Sequence, residues 1–66
     1  MTNESPMNDH VLRVPDVVKK TGLSRGTIWR MEKQGKFPSR VKLTDYAIGY
    51  RNSEVETWLT NRPKVA

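Results

Sequence analysis

The stretch Val17-Val18-Lys19-Lys20-Thr21-Gly22-Leu23-Ser24-Arg25-Gly26-Thr27-Ile28-Trp29-Arg30 decides the fold. It reads as two short helices separated by Gly22-Leu23-Ser24, the pattern of a helix-turn-helix. Each turn residue has a physical task. Gly22 ends the first helix, because glycine enters the left-handed conformation at little cost. Leu23 plugs the core between the helices. Ser24 caps the second helix, its hydroxyl accepting a bond from an orphan N–H of the first turn.

Working outward, the first helix is expected from Pro15 to about Thr21. Proline suits the first helical position, where its missing N–H costs nothing. Asp16 complements the positive end of the helix dipole, and Lys19 and Lys20 the negative end. Val14, Val17, Val18 and Thr21 give it an apolar face. The second helix is expected from Ser24 to about Gln34, closed by Gly35. At about 100° per residue, Ser24, Ile28, Met31 and Gly35 share the core side, and Gly26, Trp29, Arg30 and Lys33 fall on the other. Trp29 weighs two ways: tryptophans commonly pack in cores, but the helical phase favours partial exposure.

After Phe37-Pro38, Val41 and Leu43 alternate with polar neighbours, as do Ile48 and Tyr50. These runs predict two antiparallel strands joined around Asp45-Tyr46. Ser53-Glu54-Val55-Glu56 has the spacing of a capping box for a last helix, with Val55, Trp58, Leu59 and Arg62 on one face and Pro63 ending it. Val11, Leu12 and Val14 form a short extended lead-in. The expected fold class is α+β, mostly α: a small winged helix-turn-helix with three helices and a two-stranded β-hairpin wing. The expected division is a disordered tail over 1–10, the domain over 11–62 and a short tail over 63–66.

The chain has 66 residues, which allows one domain and a core of about a dozen side chains. It has no cysteine and one histidine, His10, so thiolate metal sites and disulfides are excluded and no metal is expected. Nor is there a paired-acid pocket or a glycine-rich phosphate loop. We expect no enzyme, no cofactor and no small-molecule substrate. No apolar run approaches the ~20 residues of a membrane span, and the N-terminus lacks the apolar centre of a signal peptide. The expected location is the bacterial cytoplasm, at the nucleoid.

The formal net charge is +5, and its distribution is uneven. Lys19, Lys20, Arg25, Arg30, Lys33, Lys36, Arg40 and Lys42 lie in one segment that holds a single acid, Glu32. Such a segment is either a solvated face or the footprint of a polyanion binder. The helix-turn-helix favours the second. In that motif the second helix enters the major groove of double-stranded DNA and its early residues reach base edges. Arg25 and Arg30 suit guanine, Thr27 suits a thymine methyl or a phosphate, and Lys33 suits a phosphate. Ser24, Gly26 and Trp29 complete the face. Lys36 joins the expected DNA-binding set, with Arg40, Lys42 and Arg51 along phosphates and Tyr46 at the wing tip. Among these wing positions, Asp45 repels phosphate, which shifts the weight of recognition to the helix.

The residues from Val17 to Arg30, with Gly35-Lys36-Phe37-Pro38, Val41-Lys42-Leu43 and Ser53-Glu54-Val55…Trp58-Leu59, resemble the AlpA family of prophage regulators, within the wider excisionase and MerR-like winged-helix group. The resemblance spans about Val11 to Arg62. It implies a winged helix-turn-helix with Arg25, Thr27, Trp29 and Arg30 on its DNA face, and transcriptional control linked to a mobile element, often of an integrase gene. The sequence departs from the family pattern twice: Asp45-Tyr46 stands where a basic wing residue is usual, and Tyr50 where tryptophan is usual. An excisionase that bends attachment-site DNA would use the same surface. A protein-interaction module, such as an anti-repressor, is a third reading. A single module of this size would bury roughly 600–1,000 Å² on DNA, so self-association on DNA stays open.

Overall fold

The computed structural model describes residues 10–65. Strand β1 (Val11–Leu12) leads into helix α1 (Val14–Thr21), then helix α2 (Arg25–Lys33), the hairpin β2 (Val41–Thr44) and β3 (Ala47–Arg51), and helix α3 (Asn52–Thr60). The tail expected over 1–10 falls, apart from His10, outside the described residues.

The hairpin wing forms as expected, and the lead-in adds to it. The lead-in is a strand, and the sheet has three strands in the order β1-β3-β2, all antiparallel. Val11 faces Arg51 and Leu12 faces Tyr50 across one ladder. Val41 faces Gly49 and Lys42 faces Ile48 across the other, with an irregularity between Lys42 and Thr44. At that irregularity Leu43 turns partly outward instead of inward. The Asp45-Tyr46 turn is tied by the Tyr46 N–H donating to Thr44 Oγ1 at 3.1 Å. The close approach of β1 explains Gly49. A side chain there would collide with Val11 Cγ1 and reach within 3.0 Å of the Leu12 carbonyl oxygen, so glycine is what lets the third strand dock.

Helix α1 starts one residue earlier than expected, which puts Pro15 second. Asp16 reaches back to accept the Arg13 N–H at 3.3 Å. At its other end, the Thr21 hydroxyl donates to the Val17 carbonyl at 2.8 Å and accepts the Leu23 N–H at 3.2 Å. Gly22 takes φ +76° and donates to the Val18 carbonyl. That combination makes the tight turn into α2. Helix α2 ends in a Schellman arrangement: Gly35, at φ +74°, donates to the Glu32 carbonyl, and Lys36 donates to that of Met31.

Helix α3 corrects the Ser53 capping box. The helix begins at Asn52, after Arg51 in extended conformation. Ser53 is therefore already helical. Glu56 turns to Lys20 on α1, with Nζ to Oε2 at 2.8 Å. Lys20 also donates to Asn52 Oδ1 at 3.0 Å, and the Asn52 N–H donates to the His10 carbonyl. Because β3 runs straight into α3, the capping position falls on Arg51 instead of Ser53.

The core is Leu12, Val17, Ile28, Phe37, Tyr50 and Val55, with Val14, Val18, Leu23, Met31, Trp58 and Leu59 packed around it. Phe37 meets Tyr50 and Trp58 edge-on, with ring centroids 5.6 and 4.8 Å away. This aromatic group carries much of the apolar burial in so small a domain.

Candidate nucleic-acid interface

The site is built on α2. Ile28 is buried and Met31 packs against the core, which turns the opposite side of the helix outward. Ser24 caps it as expected, accepting the Thr27 N–H at 3.2 Å. Its hydroxyl also donates to Thr27 Oγ1 at 2.9 Å, and Arg30 Nη2 donates to the same oxygen at 3.3 Å. Ser24, Thr27 and Arg30 thus form one hydrogen-bonded row. Gly26 leaves open space beside it, the nearest atom to an added Cβ being Arg30 Nη1 at 4.0 Å.

Trp29 is 55% exposed, in line with its helical phase. Two cations attend its ring: Lys33 Nζ lies 5.3 Å and Arg40 Cζ 5.5 Å from the ring centroid. Both distances fall in the cation–π range. Arg25, Gly26, Trp29 and Arg40 border one cleft, with Ile28 and Tyr50 among its lining. Trp58, by contrast, packs against the core and donates its indole N–H to the Lys36 carbonyl at 2.7 Å.

Ion pairing sorts the basic segment. Within it Lys20 pairs with Glu56, Arg40 with Glu32 and Lys42 with Asp45. Arg25, Arg30 and Lys33 on α2 take part in none of these pairs, nor do Lys19 on α1 and Lys36 just past α2, so α2 holds the largest share of the unpaired charge in this segment. Arg25 stands at the positive end of the helix dipole, with no acid in the first turn to offset it. That arrangement costs the free helix a few tenths of a kcal/mol or more and favours an anion there.

Lys36 and Lys42 are not bonded into the α2 group: among the described residues, no hydrogen bond, ion pair or ring contact joins their side chains to it. Lys42 lies 3.4 Å from Asp45 at the exposed turn, beside a Tyr46 that is 99% exposed. Arg51 is exposed at the junction of β3 and α3.

Sequence reasoning missed Glu32 and Tyr50 as parts of the site. Glu32 accepts Arg40 Nε on both oxygens at 3.1 Å, Arg40 Nη2 at 3.0 Å, the Arg40 backbone N–H at 3.0 Å and the Tyr50 hydroxyl at 2.8 Å. Burial pushes the Glu32 carboxyl up, but the hydrogen bonds from Arg40 and Tyr50 outweigh it and hold the group below its ordinary range. The same contact with Glu32, partly offset by burial, keeps Arg40 charged above its already high value. Burial first, then the bond to Glu32, pushes the Tyr50 phenol up to about 12. The signal was present in the sequence: Glu32 is the lone acid in a run of bases. Tyr50 supplies the hydroxyl.

Comparison with known proteins places this arrangement in a family. The protein named DNA-binding transcriptional activator AlpA, from Escherichia coli (strain K12), is 34% identical over 71 aligned positions, covering 98% of this chain and 99% of its own length. A protein of Enterobacteria phage P4, named uncharacterized protein ORF88, is 39% identical over 54 residues. That match covers 82% of this chain and 61% of the phage protein, so the chain spans less than two thirds of it. The family described as Prophage CP4-57 regulatory protein (AlpA) matches residues 10–63, and the chain belongs to that family.

Proposed function

We propose that this chain is a sequence-specific DNA-binding transcriptional regulator of a prophage or integrative element, with α2 in the major groove. The observation that carries the reading is the outer side of α2. It holds Arg25, Arg30 and Lys33 outside every ion pair among the described residues, beside a half-exposed Trp29. Arg30, steadied by Thr27, suits a bidentate contact to guanine, and Arg25 projects from the helix start toward the same groove. Lys33, one turn on, suits phosphate. The E. coli relative, aligned along nearly its whole length, is named a DNA-binding transcriptional activator, which supports the DNA-binding and regulatory parts of the reading. The regulated gene in this reading is that of an integrase.

Salt titration tests DNA binding. A protein that neutralises about six phosphates loses roughly three orders of magnitude in affinity between 50 and 200 mM salt. Absence of binding to any duplex at low salt would remove the reading. Footprinting then separates regulator from excisionase: protection at an integrase promoter is expected, and protection confined to attachment sites would favour the excisionase.

A further inference from the structure

Arg40 was expected among the phosphate contacts, yet its guanidinium is engaged inside the protein. Glu32 accepts from its Nε and Nη2, and from its backbone N–H as well. The Glu32 side chain is 12% exposed and that of Arg40 31%. To reach a phosphate, the guanidinium would leave a largely buried carboxylate with the Tyr50 hydroxyl and the Arg40 backbone N–H as donors but no countercharge, an expensive state for a charge in a poorly solvated place. An already neutralised cation also releases no counterion when DNA binds. Meanwhile its Cζ lies 5.5 Å from the Trp29 ring centroid.

We propose that Glu32 withdraws Arg40 from phosphate binding and holds it as a support for Trp29. Arg40 is then a positioning residue, and Glu32 sets how much of the affinity is independent of sequence. The inference rests on the DNA-binding reading above.

The test is the slope of log Kobs against log salt on specific and random duplexes. Three proteins are compared: the wild type, Glu32→Gln, and the double variant Glu32→Gln/Arg40→Gln. In Glu32→Gln the freed Arg40 becomes a new phosphate contact. The slope steepens by about 0.9, and the ratio of specific to random affinity falls. In the double variant the slope equals that of the wild type, while specific affinity drops several-fold because Trp29 has lost its support. A double-variant slope shallower than wild type by about 0.9 would show that Arg40 contacts phosphate and overturn the proposal. An unchanged slope in Glu32→Gln overturns the role of Glu32, and unchanged specific affinity in the double variant overturns that of Arg40. Should Glu32→Gln fail to fold, the double variant decides alone, since it leaves no charge of the pair unpaired. A wild type that binds no duplex would instead refute the DNA reading itself, a separate outcome.

Discussion

Trp58 donates its indole N–H to the Lys36 carbonyl at 2.7 Å, and so ties α3 to the turn that ends α2. The same ring meets Phe37 edge-on and lies under the Arg62 guanidinium, 4.3 Å away. Helix α3 is therefore the backing that fixes the far end of the proposed recognition helix. Trp58→Phe keeps an aromatic ring and removes the donor. It should lower stability by about 0.5–1.5 kcal/mol in urea denaturation. Unchanged stability would mean that water replaces the bond without loss.

Gly49→Ala should be more damaging than its size suggests. The added methyl meets Val11 Cγ1, the Leu12 carbonyl oxygen at 3.0 Å and Leu43 Cδ1 at 3.3 Å. Two of these belong to β1, so the strand must move away from β3. Overpacking of this kind costs about 1–3 kcal/mol. Hydrogen exchange should show the β1 amides losing protection first. A neutral Gly49→Ala would mean that β1 is not docked in solution.

These two positions show where the sequence was readable. The helix-turn-helix, the outward phase of Trp29 and the inward phase of Ile28, Val55 and Trp58 all follow from periodicity and turn chemistry, which are local. The docking of Val11–Leu12 on β3 depends on two short segments far apart in sequence, and Gly49 marks the place only once they are seen together. The Ser53 cap failed because its motif fits locally, but β3 runs directly into α3. Helical phase gave the outward Trp29, Arg30 and Lys33 and the inward Ile28 and Met31, but not Ser24 and Gly35, which it put on the core side and which are exposed. The Glu32–Arg40–Tyr50 cluster was not legible, since a count of charges cannot tell which cation a buried carboxylate will take.

Acid should destabilise the fold through Glu32 and Glu56. Hydrogen bonds from Arg40 and Tyr50 overcome burial to hold Glu32 below its ordinary value, and the bond from Lys20 does the same for Glu56. Both carboxyls thus bind protons more weakly in the folded protein than in the unfolded chain. Their contribution is complete above the unfolded value of about 4.3 and is lost as pH falls through the lower folded values. Thermal midpoints measured from pH 6 downward should fall in that window. The decline should be shallower in Glu32→Gln. An equal decline in wild type and Glu32→Gln would locate the acid sensitivity elsewhere.

Arg25→Ala and Arg30→Ala should each weaken specific binding by about 1–3 kcal/mol and relax preference at one base position. Lys33→Ala should weaken binding to all sequences alike and reduce the salt slope by about 1. All three side chains are outside the core and the ion pairs of the described residues, and their local contacts (Arg30 with Thr27, Lys33 with Trp29) are at the surface, so stability should change by no more than about 0.5 kcal/mol. Unchanged affinity in both arginine variants would mean that another side of the domain faces DNA.

Gly26→Ala separates folding from recognition. Gly26 lies in the first turn of α2, where an added Cβ comes no nearer to another group than 4.0 Å, at Arg30 Nη1. Alanine is the better helix former by up to about 1 kcal/mol, so the free protein should be as stable as wild type or slightly more so. On DNA the same methyl would stand between Arg25 and Thr27, where the helix start approaches the groove. Specific affinity should then fall by roughly the value of one base contact, about 1–3 kcal/mol. A Gly26→Ala protein with higher stability and full affinity would show that the first turn stays clear of the DNA, and would move the contact toward Arg30 and Lys33.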